Sequence, residues 1–263
     1  MPEGDTVWLT AQRLDKALAG HPLTRAELRV PRLATTELTG MTVDRVLSRG
    51  KHLLTRLDSG LTLRSHLRMD GSWRIVRTGE RWRGGPAHAV RAVLGNAHWE
   101  CLGFRVHDLT VVRTAEESEL VGHLGPDLLG PDWDAAEAER RLRAEPDREI
   151  GPALLDQRNL AGVGNMYLSE LLYLRGIHPW TPVGSVPDLP ALLALAHRVL
   201  FANRLAVSQS TVGGRGGDGE HWAYLRAGKP CLRCGTRIRS AEQGAAPYTR
   251  LTFWCPVCQP VSG

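Results

Sequence analysis

The spacing of apolar residues changes character twice along the chain, and each change marks a different kind of element. Val7, Ala11, Leu14 and Leu18 recur at helical intervals behind Asp5 or Thr6 as a cap, and Gly20 closes the run. An amphipathic helix is therefore predicted immediately after Pro2 and Glu3. From Leu23 to about Arg113 the period shortens to two. Val43 to Leu47 and Leu53 to Leu57 alternate around an interruption at Gly50-Lys51. Asp58-Ser59-Gly60 is a turn, and Leu61, Leu63, Ser65 and Leu67 share one face of the next strand. Several short strands with regular turns predict a β-sandwich or barrel. Helical spacing returns from Asp134, with helices expected over about 134–144, 151–158, 166–175 and 190–204. Asn165 caps the third of these, and Gly176 with His178-Pro179 stops it. Two short strands, 236–239 and 248–254, are expected near the end. The class is α+β in two domains. An N-terminal β-sandwich with a leading α-helix covers 1–124, a linker 125–133, a helical region 134–226 and a small hairpin module 227–263.

The chain has 263 residues, 42% hydrophobic, with 33 Lys plus Arg against 28 Asp plus Glu and a net charge of +5. That balance suits a nucleic-acid partner without requiring one. No apolar run approaches the ~18–20 residues of a membrane span. A soluble, cytoplasmic protein with no membrane partner is expected. Of five cysteines, four form two tight pairs, Cys231-x2-Cys234 and Cys255-x2-Cys258, and Cys101 stands alone. This is a metal pattern rather than a disulfide framework. Four thiolates suit tetrahedral Zn2+ and leave no open position for a catalytic water, so the metal is structural. A module this small needs the metal to fold.

Other chemistry sits in short segments. Once Met1 is removed, Pro2 carries a free secondary amine. An α-amino group titrates near ~8, so a useful fraction is neutral and nucleophilic at physiological pH. Glu3, beside it, can move protons. Leu160 to Asn165 is a glycine-rich turn that allows close approach to a phosphate. Lys51 lies on a tight loop and Arg250 on the last strand. Met69, in the turn Arg68-Met69-Asp70-Gly71, is either a core methionine or an apolar wedge of the kind pushed into a base stack. Loops 79–86 and 207–219, rich in glycine, are expected to be mobile.

Taken in order, the start PEG, the segment GKHLLTRLDSGLTLRSHLRMDGSWR, the segment LLDQRNLAGVGNMYLSELLYLRGIHP and the pairs PCLRCG and YTRLTFWCPVCQ resemble the formamidopyrimidine-DNA glycosylase and endonuclease VIII family. The third segment is similar to its helix–two-turns–helix motif. The resemblance spans essentially the whole chain. It implies a base-excision-repair DNA glycosylase with abasic-site lyase activity and a structural zinc finger. It implies Pro2 as the Schiff-base nucleophile on C1′ and Glu3 as proton donor. Lys51 and Arg250 are implied to grip phosphates and assist β- and δ-elimination, Asn165 to contact the phosphate beside the lesion, and Met69 to fill the space of the flipped base. Arg68 and His123 fall where the endonuclease VIII branch carries further polar DNA contacts. Thr6 stands where the formamidopyrimidine branch has a second acid, and PEG is similar to the endonuclease VIII branch. Oxidised pyrimidines in duplex or single-stranded DNA are the implied substrates. A monomer, nucleoid-associated when bound to DNA, is expected.

Overall fold

The computed structural model describes residues 2–82, 85–206, 208–212, 221–246 and 249–261. The chain divides into two compact units, Met1–His123 and Leu124–Gly263.

In the first unit α1 (Gly4–Leu18) is followed by β1 (Arg25–Leu28), β2 (Val43–Arg49), β3 (His52–Leu57), β4 (Leu61–His66), β5 (Ser72–Arg77), β6 (Val90–Gly95), β7 (Trp99–Phe104), β8 (Asp108–Arg113) and α2 (Glu117–Val121). The strands form two antiparallel four-stranded sheets, ordered β1-β6-β7-β5 and β2-β3-β4-β8. Val7, Ala11, Leu14 and Leu18 of α1 share one core with Val46, Leu53 and Leu63 of one sheet and Leu94 and Cys101 of the other. The apolar face predicted for the helix is thus the face that closes the sandwich. Polar clips hold it in place. Asp15 accepts the Val46 amide at 2.6 Å, and Asn96 donates to the Ala17 carbonyl at 2.8 Å. Burial pushes the Cys101 thiol up to about 12, so it behaves as a core residue.

The helix start differs from expectation. Helical structure begins at Gly4, with Glu3 at the cap position and its carbonyl accepting the Val7 amide at 3.0 Å. Asp5 lies buried inside the first turn, where its carboxylate accepts the Thr6 amide at 2.8 Å. Its side chain turns into the protein instead of back over the helix end.

The second unit contains α3 (Ala135–Arg143), α4 (Ile150–Leu155), α5 (Asn165–Arg175), α6 (Leu189–Asn203), β9 (Arg239–Gln243) and β10 (Arg250–Trp254). Asp134 caps α3 by accepting the Ala136 and Glu137 amides, and Asp188 caps α6 through the Ala191 amide. Gly176 ends α5 at φ +67°, the left-handed geometry a glycine stop requires. Every residue of α5 from Asn165 to Tyr173 is buried, so this helix is the axis around which the others pack. Residues 125–133, expected as a linker, lie within this unit: the Gly125 and Leu128 amides donate to the Gln157 and Ala161 carbonyls.

The first strand of the terminal hairpin starts later than predicted. Residues 235–238 are taken up by backbone bonds of the cysteine turn, Cys231 N–H to Thr236 and Ile238 N–H to Lys229, and pairing with β10 begins only at Arg239. Tyr248, most of loop 207–219, and Arg83 and Gly84 of loop 79–86 lie outside the described residues. Among the described residues no helix is long and apolar enough to cross a membrane.

Candidate active site and zinc centre

In the first unit, Pro2 is half-buried and Glu3 is fully buried, directly ahead of α1. A carboxyl with no solvent access is held in place by packing rather than kept for solubility. Arg49 and His52 are partners across the β2–β3 hairpin, so Gly50 and Lys51 form a two-residue turn, with Gly50 at φ +55°.

One end of sheet β2-β3-β4-β8 gathers the other predicted residues of this unit. His52, His66 and Asp108 stand side by side on β3, β4 and β8. The His52 and His66 rings meet edge to face at 4.9 Å. His66 Nδ1 accepts the Arg68 backbone N–H at 3.0 Å, which places the ring proton on Nε2. The Arg68 guanidinium grips Asp108 at 2.6 Å. Met69 follows at the tip of the turn, 64% exposed, which settles its position as outside the core. His123 is exposed, and its charge bears on His52.

Both imidazoles are kept neutral. Burial, reinforced by His66 and Arg64, pushes His52 down to about 3. Burial, reinforced by Arg68 and Lys51 and opposed by Asp108, pushes His66 down to about 4. A histidine whose native pKa lies below its unfolded value of ~6.5 stabilises the fold above that pH. The contribution is lost as pH falls from there toward 4 and then 3. By pH 5 the loss should be about 2 kcal/mol per imidazole relative to pH 8. Urea melts at the two pH values check this. His52→Phe should flatten the difference, and an unchanged slope would show that the pair does not titrate on unfolding.

In the second unit, α4 and α5 are joined by a turn riveted by Gln157. Its amide donates to the Leu155 and Val163 carbonyls and its oxygen accepts the Gly162 amide at 3.1 Å. Asn165 was expected to cap α5, but the backbone of Gly164 occupies that position. The Asn165 side chain instead donates to the Leu251 carbonyl at 2.8 Å, while its Oδ1 is buried without a hydrogen-bond partner. This brings Asn165 against the residue following Arg250. Arg250 itself is exposed on β10 and bonds locally to the Thr249 carbonyl.

The four cysteines converge. Their sulfurs all lie within 4.8 Å of one another, with Cys231–Cys258 at 3.8 Å and Cys234–Cys255 at 3.5 Å. A tetrahedron with Zn–S of ~2.3 Å has edges of about 3.8 Å. Amides of Arg233 and Cys258 point at the sulfurs of Cys231 and Cys255. Burial raises the Cys231 thiol, but the Tyr173 hydroxyl and two backbone amides outweigh it and hold the group at about 6. Cys258 is pushed up to about 12, by burial and then by its neighbouring thiols. Four such sulfurs cannot all ionise without a cation between them, so the donor set fits zinc.

Sequence reasoning missed the residues behind the centre. Tyr173 of α5 lies 3.0 Å from Cys231 Sγ, and the Arg233 guanidinium sits 4.6 Å over the Tyr173 ring. Tyr173 carries no distinct sequence signal, since α5 also holds Tyr167 among its apolar residues, and Arg233 stands out only by lying between Cys231 and Cys234. Outer partners of metal ligands typically change affinity by ~10–100-fold. Tyr173→Phe should therefore release zinc to a chromogenic chelator about tenfold faster, toward the lower end of that range. A parent-like release rate would mean that the hydroxyl does not support the ligand.

Comparison with known proteins agrees with this anatomy. The formamidopyrimidine-DNA glycosylase N-terminal domain model matches residues 1–123, the formamidopyrimidine-DNA glycosylase H2TH domain model 124–211, and the zinc finger found in FPG and IleRS 228–261. The chain is 58% identical to "Probable endonuclease 8 2" of Streptomyces coelicolor over 98% of its own length and 94% of the relative's. It is 45% identical to "DNA-(apurinic or apyrimidinic site) lyase Nei2" of Mycolicibacterium smegmatis across 100% of both chains. A Lactococcus lactis Fpg solved with abasic-site DNA superposes with a TM-score of 0.80 at 25% identity, covering 98% of this chain and 100% of that one. With its buried Glu3 ahead of α1, its helix–two-turns–helix unit and its four-cysteine zinc site, the chain belongs to the formamidopyrimidine-DNA glycosylase and endonuclease VIII family of bifunctional DNA glycosylase/lyases.

Proposed function

We propose that this protein excises oxidised pyrimidines from DNA and cleaves the resulting abasic site by β,δ-elimination. The observation that carries the reading is the fully buried Glu3 carboxyl adjoining Pro2. In this reading Met1 is removed and the Pro2 nitrogen attacks C1′ of the damaged nucleotide. Glu3 donates a proton as the sugar ring opens. The base departs and a cationic iminium remains on C1′. That cation acidifies the C2′ hydrogens, so the 3′ phosphate leaves first and the 5′ phosphate second. Lys51, Asn165 and Arg250 hold the phosphates during these steps. Arg68 and His123 add polar contacts, and exposed Met69 fills the space vacated by the flipped base, whose extrusion costs a few kcal/mol. The zinc site supplies no chemistry to the reaction; it folds the strand that carries Arg250. The protein acts as a monomer on the cell's own DNA, in the cytoplasm.

Borohydride trapping on an abasic oligonucleotide tests the mechanism, and intact mass tests Met1 removal. A covalent adduct is expected at a protein mass lacking Met1. No adduct would turn the reading toward a lesion-sensing DNA-binding protein. Substrate choice is tested by single-turnover rates, which should be faster on thymine glycol, dihydrouracil and 5-hydroxyuracil than on 8-oxoguanine. A second reading, action mainly on abasic sites, is favoured by the name of the Mycolicibacterium relative. It predicts rapid incision of abasic DNA with negligible release of any damaged base.

A further inference from the structure

Among the described residues three other than glycine take left-handed backbone, Arg68 at φ +55°, Arg105 at φ +53° and Leu225 at φ +56°. The first two lie on turns that face each other. Arg68 is in the turn between β4 and β5, and Arg105 is in the turn between β7 and β8. Arg105 reaches Asp70 at 3.5 Å. Such backbone costs about 1–3 kcal/mol per residue and persists only where surrounding structure imposes it.

The structure around Arg68 is specific. Gly71 N–H closes the turn on the Leu67 carbonyl at 2.9 Å, and a side chain at Gly71 would run into that carbonyl. Leu67 is 2% exposed and anchors the turn in the core. The Arg68 amide is satisfied by His66 Nδ1. Its guanidinium donates to Asp108 Oδ2 through Nε at 2.8 Å and through its terminal nitrogen at 2.6 Å. Asp108 is itself held, because Arg64 donates to Oδ1 at 2.6 Å and to Thr110 at 3.1 Å. The Arg64 and Asp108 side chains are 13% and 16% exposed, whereas that of Arg68 is 69% exposed. Burial alone would raise the Asp108 carboxyl, but Arg64 and Arg68 outweigh it and keep the group ionised. A half-buried, doubly bonded carboxylate thus clamps an exposed strained turn, and the next residue is Met69.

We propose that Asp108 is a positioning residue for base eversion: by fixing Arg68 it holds the turn in the conformation that presents Met69 as a rigid wedge. This rests on the reading of Met69 as the residue that fills the vacated space. A turn whose backbone is fixed before DNA binds has less conformational freedom to lose when Met69 is inserted.

The test uses the full chain with Asp108→Asn, Met69→Ala and the double variant, assayed under single turnover on one lesion in duplex and in single-stranded oligonucleotide. Single strands contain no partner stack to support, so the clamp is irrelevant there. Asp108→Asn should slow duplex excision by about tenfold and leave the single-stranded rate within about twofold. Met69→Ala should also be slow on duplex, and adding Asp108→Asn to it should cost no more than about twofold further, because both act through one contact. Equal loss on both substrates, or a full multiplicative loss in the double variant, overturns the role of Asp108. If Met69→Ala excises from duplex at the parent rate, the wedge reading itself fails and takes this inference with it. Should Asp108→Asn fold poorly because Arg64 is left unpaired, the paired exchange Arg64→Gln with Asp108→Asn removes the stranded charge together with the clamp, and the same split applies.

Discussion

Glu3→Gln should lower excision of a damaged base by about 10²–10⁴-fold, the range for removing a positioned proton donor, while cleavage of a preformed abasic site falls far less. The split follows from what each substrate asks of the protein in the mechanism proposed above. An intact nucleotide needs a proton on the sugar as its ring opens, and the amide of glutamine cannot supply one. An abasic sugar already opens to an aldehyde, so the Pro2 amine needs only access. Glutamine matches glutamate in size, and Glu3 is fully buried at the start of α1, so the exchange tests proton transfer with little change in packing. Parallel single-turnover assays on lesion and abasic duplexes, with borohydride trapping on the second, measure both steps. Equal loss on the two substrates would assign Glu3 to holding the terminus in place and remove it from the chemistry.

Glu170→Ala should be among the most destabilising single changes in the second unit. Glu170 lies on α5 with no solvent exposure. One carboxylate oxygen accepts the Ala223 and Tyr224 amides at 2.8 and 2.9 Å. The other accepts the Trp222 amide at 2.8 Å and the Thr211 hydroxyl. Four donors converge on one buried charge, and three of them belong to the backbone. Alanine would strand all three amides, at about 1–3 kcal/mol each. The sum of about 3–9 kcal/mol is comparable with a whole domain's stability of ~5–15 kcal/mol. Glu170→Gln should fall between, since its amide keeps a single acceptor oxygen and turns an NH2 toward a donor. Urea or thermal melts of the two variants decide it. A midpoint for Glu170→Ala close to the parent's would show that the 222–224 backbone finds other partners.

Legibility in the sequence differed by the range of the interaction. Val7, Ala11, Leu14 and Leu18 marked α1 because periodicity is local, and the structure buries those positions. The cysteine spacing marked the zinc centre because each pair closes its own turn. The amine chemistry open to Pro2 and the acid beside it were readable from the residue types, but their roles on DNA were implied only by the family resemblance, since a proline near a terminus has no periodicity to betray it. Asn165 had the sequence of a helix cap, yet its amide reaches Leu251, 86 positions away. A distant carbonyl outcompeted the adjacent helix end, and nothing local records that choice.

Composition, period and spacing alone determined the α+β class, the leading helix, the run of strands followed by helices and the four-sulfur metal site. These depend on steric preference and apolar patterning within a few residues of one another. Only the tertiary structure decided that Asp108, 40 positions on, grips Arg68 beside Met69, that Glu170 anchors residues more than 50 positions away, and that Tyr173 supports Cys231. The physical reason is that a buried charge or hydroxyl takes whichever donors the packed core brings within reach, and strand register and helix packing set that reach.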